Sequence, residues 1–239
     1  LGDVYKRQIL KAIQEMGYES PMPVQEEVIP FLLGDDNDVI ALAQTGTGKT
    51  AAFGLPILQK IDVTTYHPQA LVLCPTRELC LQIADDLNDY SKYIDNLKVL
   101  PVYGGSSIES QIKTLKRGVH VVVATPGRLL DLMNRKTVDL SLVKNVIMDE
   151  ADEMLNMGFT DSINAILAEV PENRNMLLFS ATMPKEIANI TKKYMKNPKE
   201  IVIGNKNEGN KNIRDIYYMV QARDKYLALK RIADFYPNI

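Results

Sequence analysis

The sequence has little of several residue types that mark common protein classes. Of its 239 residues, only two are cysteine and two are histidine. Cys74 and Cys80, with His67 and His120, lack the closely spaced ligand set of a structural zinc site, so reduced thiols are predicted. No apolar run approaches the roughly 20 residues that cross a bilayer, and the first residues lack a signal-peptide core. We therefore expect a cytoplasmic protein without a membrane partner.

An excess of charge of one sign is also missing. The chain carries 28 Lys and Arg against 30 Asp and Glu, which gives a formal net charge of −2. A nucleic-acid-binding protein commonly shows an excess of cations. Composition therefore indicates no such partner, and any basic surface must be local. The hydrophobic fraction of 46% is enough for the core of a globular domain.

Short apolar runs recur along the chain, and amphipathic helical patterns separate most of them. Runs that are apolar on both faces indicate strands covered on both sides, as in a parallel sheet with helices on each face. The predicted fold class is therefore α/β. The runs span residues 38–43, 70–75, 99–104, 121–125, 146–151, 176–181 and 201–204.

Polar or glycine-rich clusters follow nearly every one of these runs. Parallel α/β sheets bind ligands outside the carboxyl ends of their strands. We therefore expect a functional site along one edge of the sheet. The clusters are QTGTGKT, TREL, GSS, PGR, the acidic group of DEAD and the end of SAT.

The segment AQTGTGKT is typical of a phosphate-binding loop, but it begins with Ala43 where the general pattern has glycine. Gly46 and Gly48 allow a tight turn whose backbone N–H groups point into one concavity, and a helix beginning near Gly48 adds its positive end. Lys49 would reach the β and γ phosphates of a nucleotide, and the Thr50 hydroxyl would bind Mg²⁺. Alanine is tolerable at the first position if its φ is negative. The predicted nucleotide-binding residues here are Gln44, Thr45, Gly46, Thr47, Gly48, Lys49 and Thr50.

A pair of carboxylates ends another predicted strand. Asp149 and Glu150 follow the apolar residues 146–148. Asp149 is suited to hold Mg²⁺ through water, and Glu150 to orient the attacking water of a hydrolysis. The predicted catalytic residues are therefore Lys49, Asp149 and Glu150, and the predicted metal ligands are Thr50 and Asp149.

Residues 149–152 read DEAD, and the chain resembles the first RecA-like domain of DEAD-box ATP-dependent RNA helicases over residues 9–239. Alanine at the first loop position is usual in that family. The matching motifs follow one another in the family's order. They are the Q motif GYESPMPVQ (17–25), motif I AQTGTGKT (43–50), motif Ia PTREL (75–79), the GG element (104–105), motif Ib TPGR (125–128), motif II DEAD (149–152) and motif III SAT (180–182).

The resemblance implies ATP and Mg²⁺ as cofactors. By that resemblance Gln25 would hydrogen-bond adenine, and the ring of Tyr18, with Pro21 and Pro23, would shape the pocket. The aromatic residue that stacks on adenine in the family would fall just before residue 1. We therefore expect weaker adenine binding than in an intact member.

The resemblance also implies RNA as the partner. Turns that lead from strands into helices present backbone N–H groups and cations to phosphates, and such contacts carry little base information. Binding should therefore be sequence-independent and salt-sensitive, to a single strand or a short duplex. The predicted RNA-binding residues are Pro75, Thr76, Arg77, Gly104, Gly105, Thr125, Pro126, Gly127 and Arg128.

Coupling between hydrolysis and strand separation is assigned by the resemblance to motif III. Ser180, Ala181 and Thr182 would link to the second aspartate of the DEAD motif, Asp152. On sequence alone, a Ser-Ala-Thr strand end is commonplace, so this role depends on the family pattern.

The domain prediction has four parts. Residues 1–8 are an atypical lead-in, 9–204 a RecA-like domain, 205–212 a polar linker, and 213–239 the first strand and helix of a truncated second RecA-like domain. In this last part an alternating run predicts the strand at 216–221, and a helical pattern predicts the helix at 224–236. The family's second domain carries arginines that complete the ATP site, and an absent arginine finger can cost about 10³ to 10⁵ in rate in analogous NTPases. The chain by itself is therefore expected to turn over ATP weakly or not at all.

Other function classes explain less of the sequence. A GTPase needs an Asn-Lys-x-Asp guanine reader, whereas residues 205–208 read NKNE. A small-molecule kinase has no use for SAT, PTREL and TPGR together. A nonenzymatic module that binds nucleotide and RNA remains open, and turnover distinguishes it from an enzyme.

Overall fold

A computed structural model gives the structure of residues 6–34, 38–203, 216 and 218–236. Most of these residues form one parallel sheet with helices on its faces. The strands are β1 (Val39–Leu42), β2 (Ala70–Leu73), β3 (Val99–Val102), β4 (Val121–Ala124), β5 (Asn145–Met148), β6 (Asn175–Ser180) and β7 (Lys199–Val202).

The seven strands are arranged in the order β3-β4-β2-β5-β6-β1-β7, and each neighbouring pair is parallel. The predicted α/β class is therefore confirmed. The order of the strands in the sheet differs from their order along the chain. As a result, β5, β6 and β1 are neighbours at one side of the sheet, and β2, β4 and β3 are neighbours at the other.

Helices follow most of the strands and cover both faces. Side chains of α1 to α4 pack on one face and those of α5 to α9 on the other. The helices are α1 (Arg7–Glu15), α2 (Pro23–Leu33), α3 (Lys49–Lys60), α4 (Arg77–Tyr90), α5 (Ile108–Lys116), α6 (Pro126–Asn134), α7 (Ala151–Asn156), α8 (Thr160–Glu169), α9 (Lys185–Tyr194) and α10 (Lys225–Phe235).

The core lies on both faces of the sheet because alternate residues of a strand point to opposite sides. In β1, Val39 and Ala41 pack with α2 to α4, whereas Ile40 and Leu42 pack with the helices of the other face. All four residues are buried. This two-sided burial explains why the strands read as continuous apolar runs.

The observed strands differ by a few residues from the predicted runs at their ends, and one further predicted strand is not formed. The run 146–151 ends as a strand at Met148, and α7 already begins at Ala151, so the acidic pair forms the turn between them. The predicted strand at 216–221 is not formed at Ile216 or at residues 218–221. A strand gains its hydrogen bonds only from a neighbouring strand, and none in the described part of the chain pairs with these residues.

Contacts within the chain divide it into two units, Leu1–Lys206 and Asn207–Ile239. The second unit contains a 3₁₀ turn at Ala222–Asp224 and then α10, close to the predicted helix at 224–236. The predicted linker 205–212 and residues 1–5 of the predicted lead-in lie outside the described residues. The four-part domain assignment stays a prediction. Among the described helices, none combines the length and apolar character that a membrane crossing requires.

We predict that Gly118→Ala lowers the free energy of unfolding more than Gly158→Ala does. Both glycines follow a helix with positive φ, +86° and +80°, which costs a non-glycine residue about 1–2 kcal/mol. A Cβ at Gly118 would also lie 2.6 Å from Tyr66 Cβ, whereas one at Gly158 meets nothing within 4 Å. Overpacking should add about 1–3 kcal/mol at Gly118. Urea denaturation measures the difference, and equal losses would contradict the prediction.

Candidate active site

The loop between β1 and α3 has the backbone geometry of a phosphate cradle. Gly46 and Gly48 have φ of +78° and +82°, and Gly48 is the N-cap of α3. Ala43 is not among the described residues with positive φ, so alanine fits its position as expected. The Thr47 hydroxyl donates to the Gln44 carbonyl oxygen over 2.7 Å, which closes the turn. The loop therefore exposes backbone N–H groups at the positive end of a helix.

Lys49 and Asp149 form a buried ion pair at the centre of the site. Lys49 Nζ lies 3.3 Å from Asp149 Oδ1, and the two side chains are 7% and 4% exposed. Burial raises the pKa of the Asp149 carboxyl, and the Lys49 ammonium acts in the opposite direction. A charge pair this well removed from water is sensitive to any further charge placed beside it.

Glu150 has an unusual backbone conformation for its residue type. Its φ is +51°, a left-handed value that costs a residue with a side chain about 1–2 kcal/mol. Its N–H donates to Asp149 Oδ1 over 3.0 Å, and its Oε1 accepts from the Thr45 hydroxyl over 3.2 Å. Strain of this kind commonly occurs at functional positions, where it orients a side chain.

The Thr50 hydroxyl interacts with the Asp86 carboxylate of α4. Burial raises the pKa of Asp86, and the hydrogen bond from Thr50 acts against this shift. For Thr50 to bind a metal ion, its hydroxyl oxygen would have to coordinate the ion while its O–H group donates a hydrogen bond to Asp86. The hydroxyl of Thr50 and the carboxylate of Asp149 are oxygen donors of the kind that Mg²⁺ prefers, so the side chains fit that ion.

Gln25 is buried and binds the loop through its side-chain amide. Gln25 Nε2 donates to the Gly48 carbonyl oxygen over 3.1 Å, and Oε1 accepts the N–H of Met22 over 2.9 Å. A Cβ on Gly48 would lie 2.5 Å from Gln25 Nε2, so only glycine allows this close approach. The contact to adenine stays a prediction. In the structure the Gln25 amide contacts the loop and the start of α2.

Tyr18 packs against α4. Its ring stands edge-on to that of Tyr90 at 6.1 Å, and the two hydroxyls are 3.0 Å apart. Tyr18, Pro21 and Gln25 line one cavity of about 420 Å³. Its remaining lining is largely apolar and includes Leu10, Ile13, Ile29, Pro30 and Leu55. Three of the four residues expected at the adenine pocket thus border one cavity, whereas Pro23 lines a different one. The adenine pocket itself stays a prediction.

Motif III and the end of the DEAD motif are joined by hydrogen bonds. Asp152 Oδ2 accepts from the N–H and the hydroxyl of Thr182, over 2.9 Å and 2.8 Å. The Asp152 N–H donates to Ser180 Oγ over 3.3 Å, and that hydroxyl donates to the Thr182 carbonyl oxygen over 2.7 Å. Ala181 lies exposed between them. The expected link is present, while its coupling role stays a prediction.

The turns after β2 and β3 bring Arg77 close to the GG element. Arg77 begins α4 and is exposed, and its guanidinium lies 5.0 Å from the centre of the Tyr103 ring. Gly104 and Gly105 are exposed beside it. The Thr76 hydroxyl accepts the N–H of Leu79 over 3.2 Å and so caps α4, and Pro75 is buried. Of motif Ia, therefore, Arg77 offers an exposed cationic side chain.

Arg128 contacts the turn after β3 as well as offering charge. Its Nη1 and Nη2 donate to the Ser106 carbonyl oxygen over 3.2 and 3.3 Å, and Nη1 donates to Gln111 Oε1 over 3.2 Å. From its motif, this arginine was expected only to bind phosphate as a cation. Helix α6 begins beside it, with Thr125 as its N-cap and Pro126 and Gly127 as its first residues. Gly127 is exposed.

Gln111 and Tyr103 were missed by the sequence analysis. Gln111 is a polar residue inside the apolar stripe that Ile108, Ile112 and Leu115 form on α5. A polar side chain at such a position must find partners when it is buried. That break in the pattern was the available signal. Tyr103 gave none, because an aromatic residue at a strand end is ordinary.

We predict that Gln25→Glu destabilises the chain in a pH-dependent way. A carboxylate cannot donate to the Gly48 carbonyl, and an unmade buried hydrogen bond costs about 1–3 kcal/mol. Burial should raise the folded-state pKa of this glutamate above the unfolded value of about 4.3. The loss should therefore be largest at about pH 8 and shrink as the pH falls toward about 4, where the acid can donate again.

Urea denaturation across that pH range, with the unchanged chain as reference, measures this loss. Gln14→Glu on the exposed face of α1 is the matched control and should show little loss at any pH. A loss for Gln25→Glu that does not vary with pH would contradict the explanation.

Comparison with known proteins agrees with this arrangement. A family model described as DEAD/DEAH box helicase matches residues 22–190. The chain is 49% identical over 229 residues to the ATP-dependent RNA helicase DeaD of Mycobacterium tuberculosis (strain ATCC 25618 / H37Rv), covering 96% of this chain and 40% of that protein. It is 46% identical over 226 residues to the DEAD-box ATP-dependent RNA helicase CshA of Bacillus cereus (strain ATCC 10987 / NRS 248), covering 95% and 43%.

A solved structure has the same fold. The crystal structure of a DEAD box protein from the hyperthermophile Methanococcus jannaschii superposes with a TM-score of 0.80 at 43% identity, over 96% of this chain and 61% of that one. The chain spans about two-fifths of the length of the curated relatives that it matches. The matched family model, the ordered motifs and the shared fold together establish that this chain belongs to the DEAD/DEAH box helicase family.

Proposed function

We propose that this chain is the ATP-binding and RNA-backbone-binding part of an ATP-dependent RNA helicase of the DEAD-box type. With a second RecA-like domain it would couple ATP hydrolysis to local separation of RNA duplexes. The observation that carries the proposal is the 3.3 Å contact between Lys49 Nζ and Asp149 Oδ1. That contact brings the phosphate-binding lysine and the expected Mg²⁺ carboxylate to one point of the sheet edge.

The proposed roles follow from the chemistry of each side chain. Lys49 would bind the β and γ phosphates, and Thr50 and Asp149 would hold Mg²⁺, which neutralises phosphate charge when it is bound. Glu150 would orient the attacking water and accept its proton. Its strained backbone and its contact with Thr45 support a fixed direction for this carboxylate.

The proposed RNA surface is the other half of the same edge. The starts of α4 and α6 and the exposed glycines after β3 offer N–H groups to phosphates, and Arg77 adds charge. Contacts of this kind support binding without sequence preference to a single strand or a short duplex. We also propose a cytoplasmic location, which the two free buried thiols, Cys74 and Cys80, support.

A second candidate function is a nucleotide- and RNA-binding module with little turnover. The share of the relatives that this chain spans, 40% of one of them, favours it for the chain taken alone. The arginines that would complete the ATP site are expected from a second RecA-like domain. ATP turnover, measured with and without RNA, distinguishes the two candidates.

We expect the 239-residue chain to bind an Mg²⁺–ATP analogue and Lys49→Ala to lose that binding. Steady-state ATP hydrolysis, with Lys49→Ala as the blank, should stay near the blank for this chain and rise with single-stranded RNA when a second domain is joined. In the joined protein Glu150→Gln should lower turnover by about 10²-fold or more while binding persists. Absence of nucleotide binding would overturn the proposed function, and RNA-stimulated turnover by the chain alone would overturn the second candidate.

In the joined protein we predict that Ser180→Ala with Thr182→Ala spares ATP turnover and weakens unwinding. The double change removes the Thr182 hydroxyl contact to Asp152 and the Ser180 hydroxyl that accepts the Asp152 N–H, and each such bond is worth about 0.5–1.5 kcal/mol. Duplex separation and ATP hydrolysis are measured on the same preparation. Equal loss of both activities would contradict a coupling role.

A further inference from the structure

Gln111 is a buried amide in the region of the proposed RNA surface. It is 6% exposed and lies on α5, where its neighbours Ile108, Ile112 and Leu115 pack against the core. A polar group in that position is costly to bury unless its hydrogen bonds are made. Its partners therefore indicate what the residue holds in place.

Its three described side-chain hydrogen bonds all go to residues of the candidate RNA-binding turns. Gln111 Nε2 donates to the Tyr103 carbonyl oxygen over 3.1 Å and to Ser106 Oγ over 2.7 Å. Gln111 Oε1 accepts from Arg128 Nη1 over 3.2 Å. One amide thus ties both ends of the turn after β3 to the arginine of the turn after β4.

The contacts continue to the turn after β2. The Tyr103 carbonyl accepts a hydrogen bond from Gln111. The centre of the Tyr103 ring lies 5.0 Å from the Arg77 guanidinium. Arg77 Nη1 would lie 3.6 Å from a Cβ at Gly105, so this arginine also borders the glycine turn. A continuous series of contacts therefore joins Arg77, Tyr103, Gln111 and Arg128.

We propose that Gln111 is a positioning residue that sets the spacing of the turns after β2, β3 and β4 for a nucleic-acid backbone. The inference rests on the proposed function. Phosphates recur at regular intervals along a strand, so a surface that meets several of them gains from being ordered beforehand. Because its side chain is buried, Gln111 would act through the 103–106 turn and through Arg128.

The first experiment measures amide hydrogen exchange without RNA. Gln111→Leu keeps the volume and removes the hydrogen bonds, and it should speed exchange in residues 103–107 by about tenfold, with no change in the loop 44–50. Gln111→Glu keeps the acceptor for Arg128 but loses the donors, and it should also release the turn. Gln14→Leu on the exposed face of α1 should change neither segment. Unchanged exchange at 103–107 in both Gln111 variants overturns the inference.

The second experiment measures affinity for a short uridine oligomer in the presence of an Mg²⁺–ATP analogue. Gln111→Leu should weaken RNA binding by about five- to tenfold and leave analogue affinity unchanged. In an Arg128→Ala background the same change should cost about twofold or less, because residues that act together are not additive. Equal losses in the two backgrounds, or undiminished RNA binding by Gln111→Leu, overturn the positioning role.

Failure of the proposed RNA-binding function and failure of the Gln111 role give different results in these experiments. If the unchanged chain does not bind the oligomer, RNA recognition by this edge is wrong and the positioning role falls with it. If the chain binds RNA but the turn at 103–107 exchanges at the same rate in the Gln111 variants, the RNA function stands and only the role of Gln111 is wrong.

Discussion

The parallel direction of the strands is the constraint on which the rest of this structure depends. Because the carboxyl ends of β1 to β6 meet at one edge, the turns that follow them lie near one another, although they are spread along the chain. The order of the strands then divides that edge. The loop, the acidic pair and motif III follow β1, β5 and β6, whereas the candidate RNA turns follow β2, β3 and β4.

Buried polar contacts hold each half of the edge in place. In the half formed by the turns after β1, β5 and β6, the Lys49–Asp149 pair crosses the end of β6. This strand lies between β1 and β5 in the sheet. Motif III ends that strand, and Thr182 of motif III is hydrogen-bonded to Asp152. On the other half, Gln111 and Arg128 join the turns. Low local polarity makes such contacts costly to leave unmade, which favours a single arrangement.

Some side chains have partners that their motifs do not reveal. Arg128 was expected to serve a phosphate, and it also supports the neighbouring turn through the Ser106 carbonyl. Gln25 was expected to meet adenine, and its amide contacts Gly48 and Met22. The motif indicates that a residue type is needed, but its partners come from segments distant in sequence. The strand expected at 216–221 fails for a related reason, since a strand requires a partner that local sequence does not supply.

The sequence by itself determined the α/β class, the glycine turn before α3, the acidic strand end and the family, because these depend on local periodicity and on residue spacing within short segments. The positive φ of Gly46 and Gly48 agrees with the turn chemistry read from the loop. Only the tertiary structure decided the order of the strands, the Lys49–Asp149 pair and the place of Gln111 between Tyr103 and Arg128. The physical reason is that strand order and side-chain partners arise from long-range packing of both faces of the sheet, which no local pattern encodes.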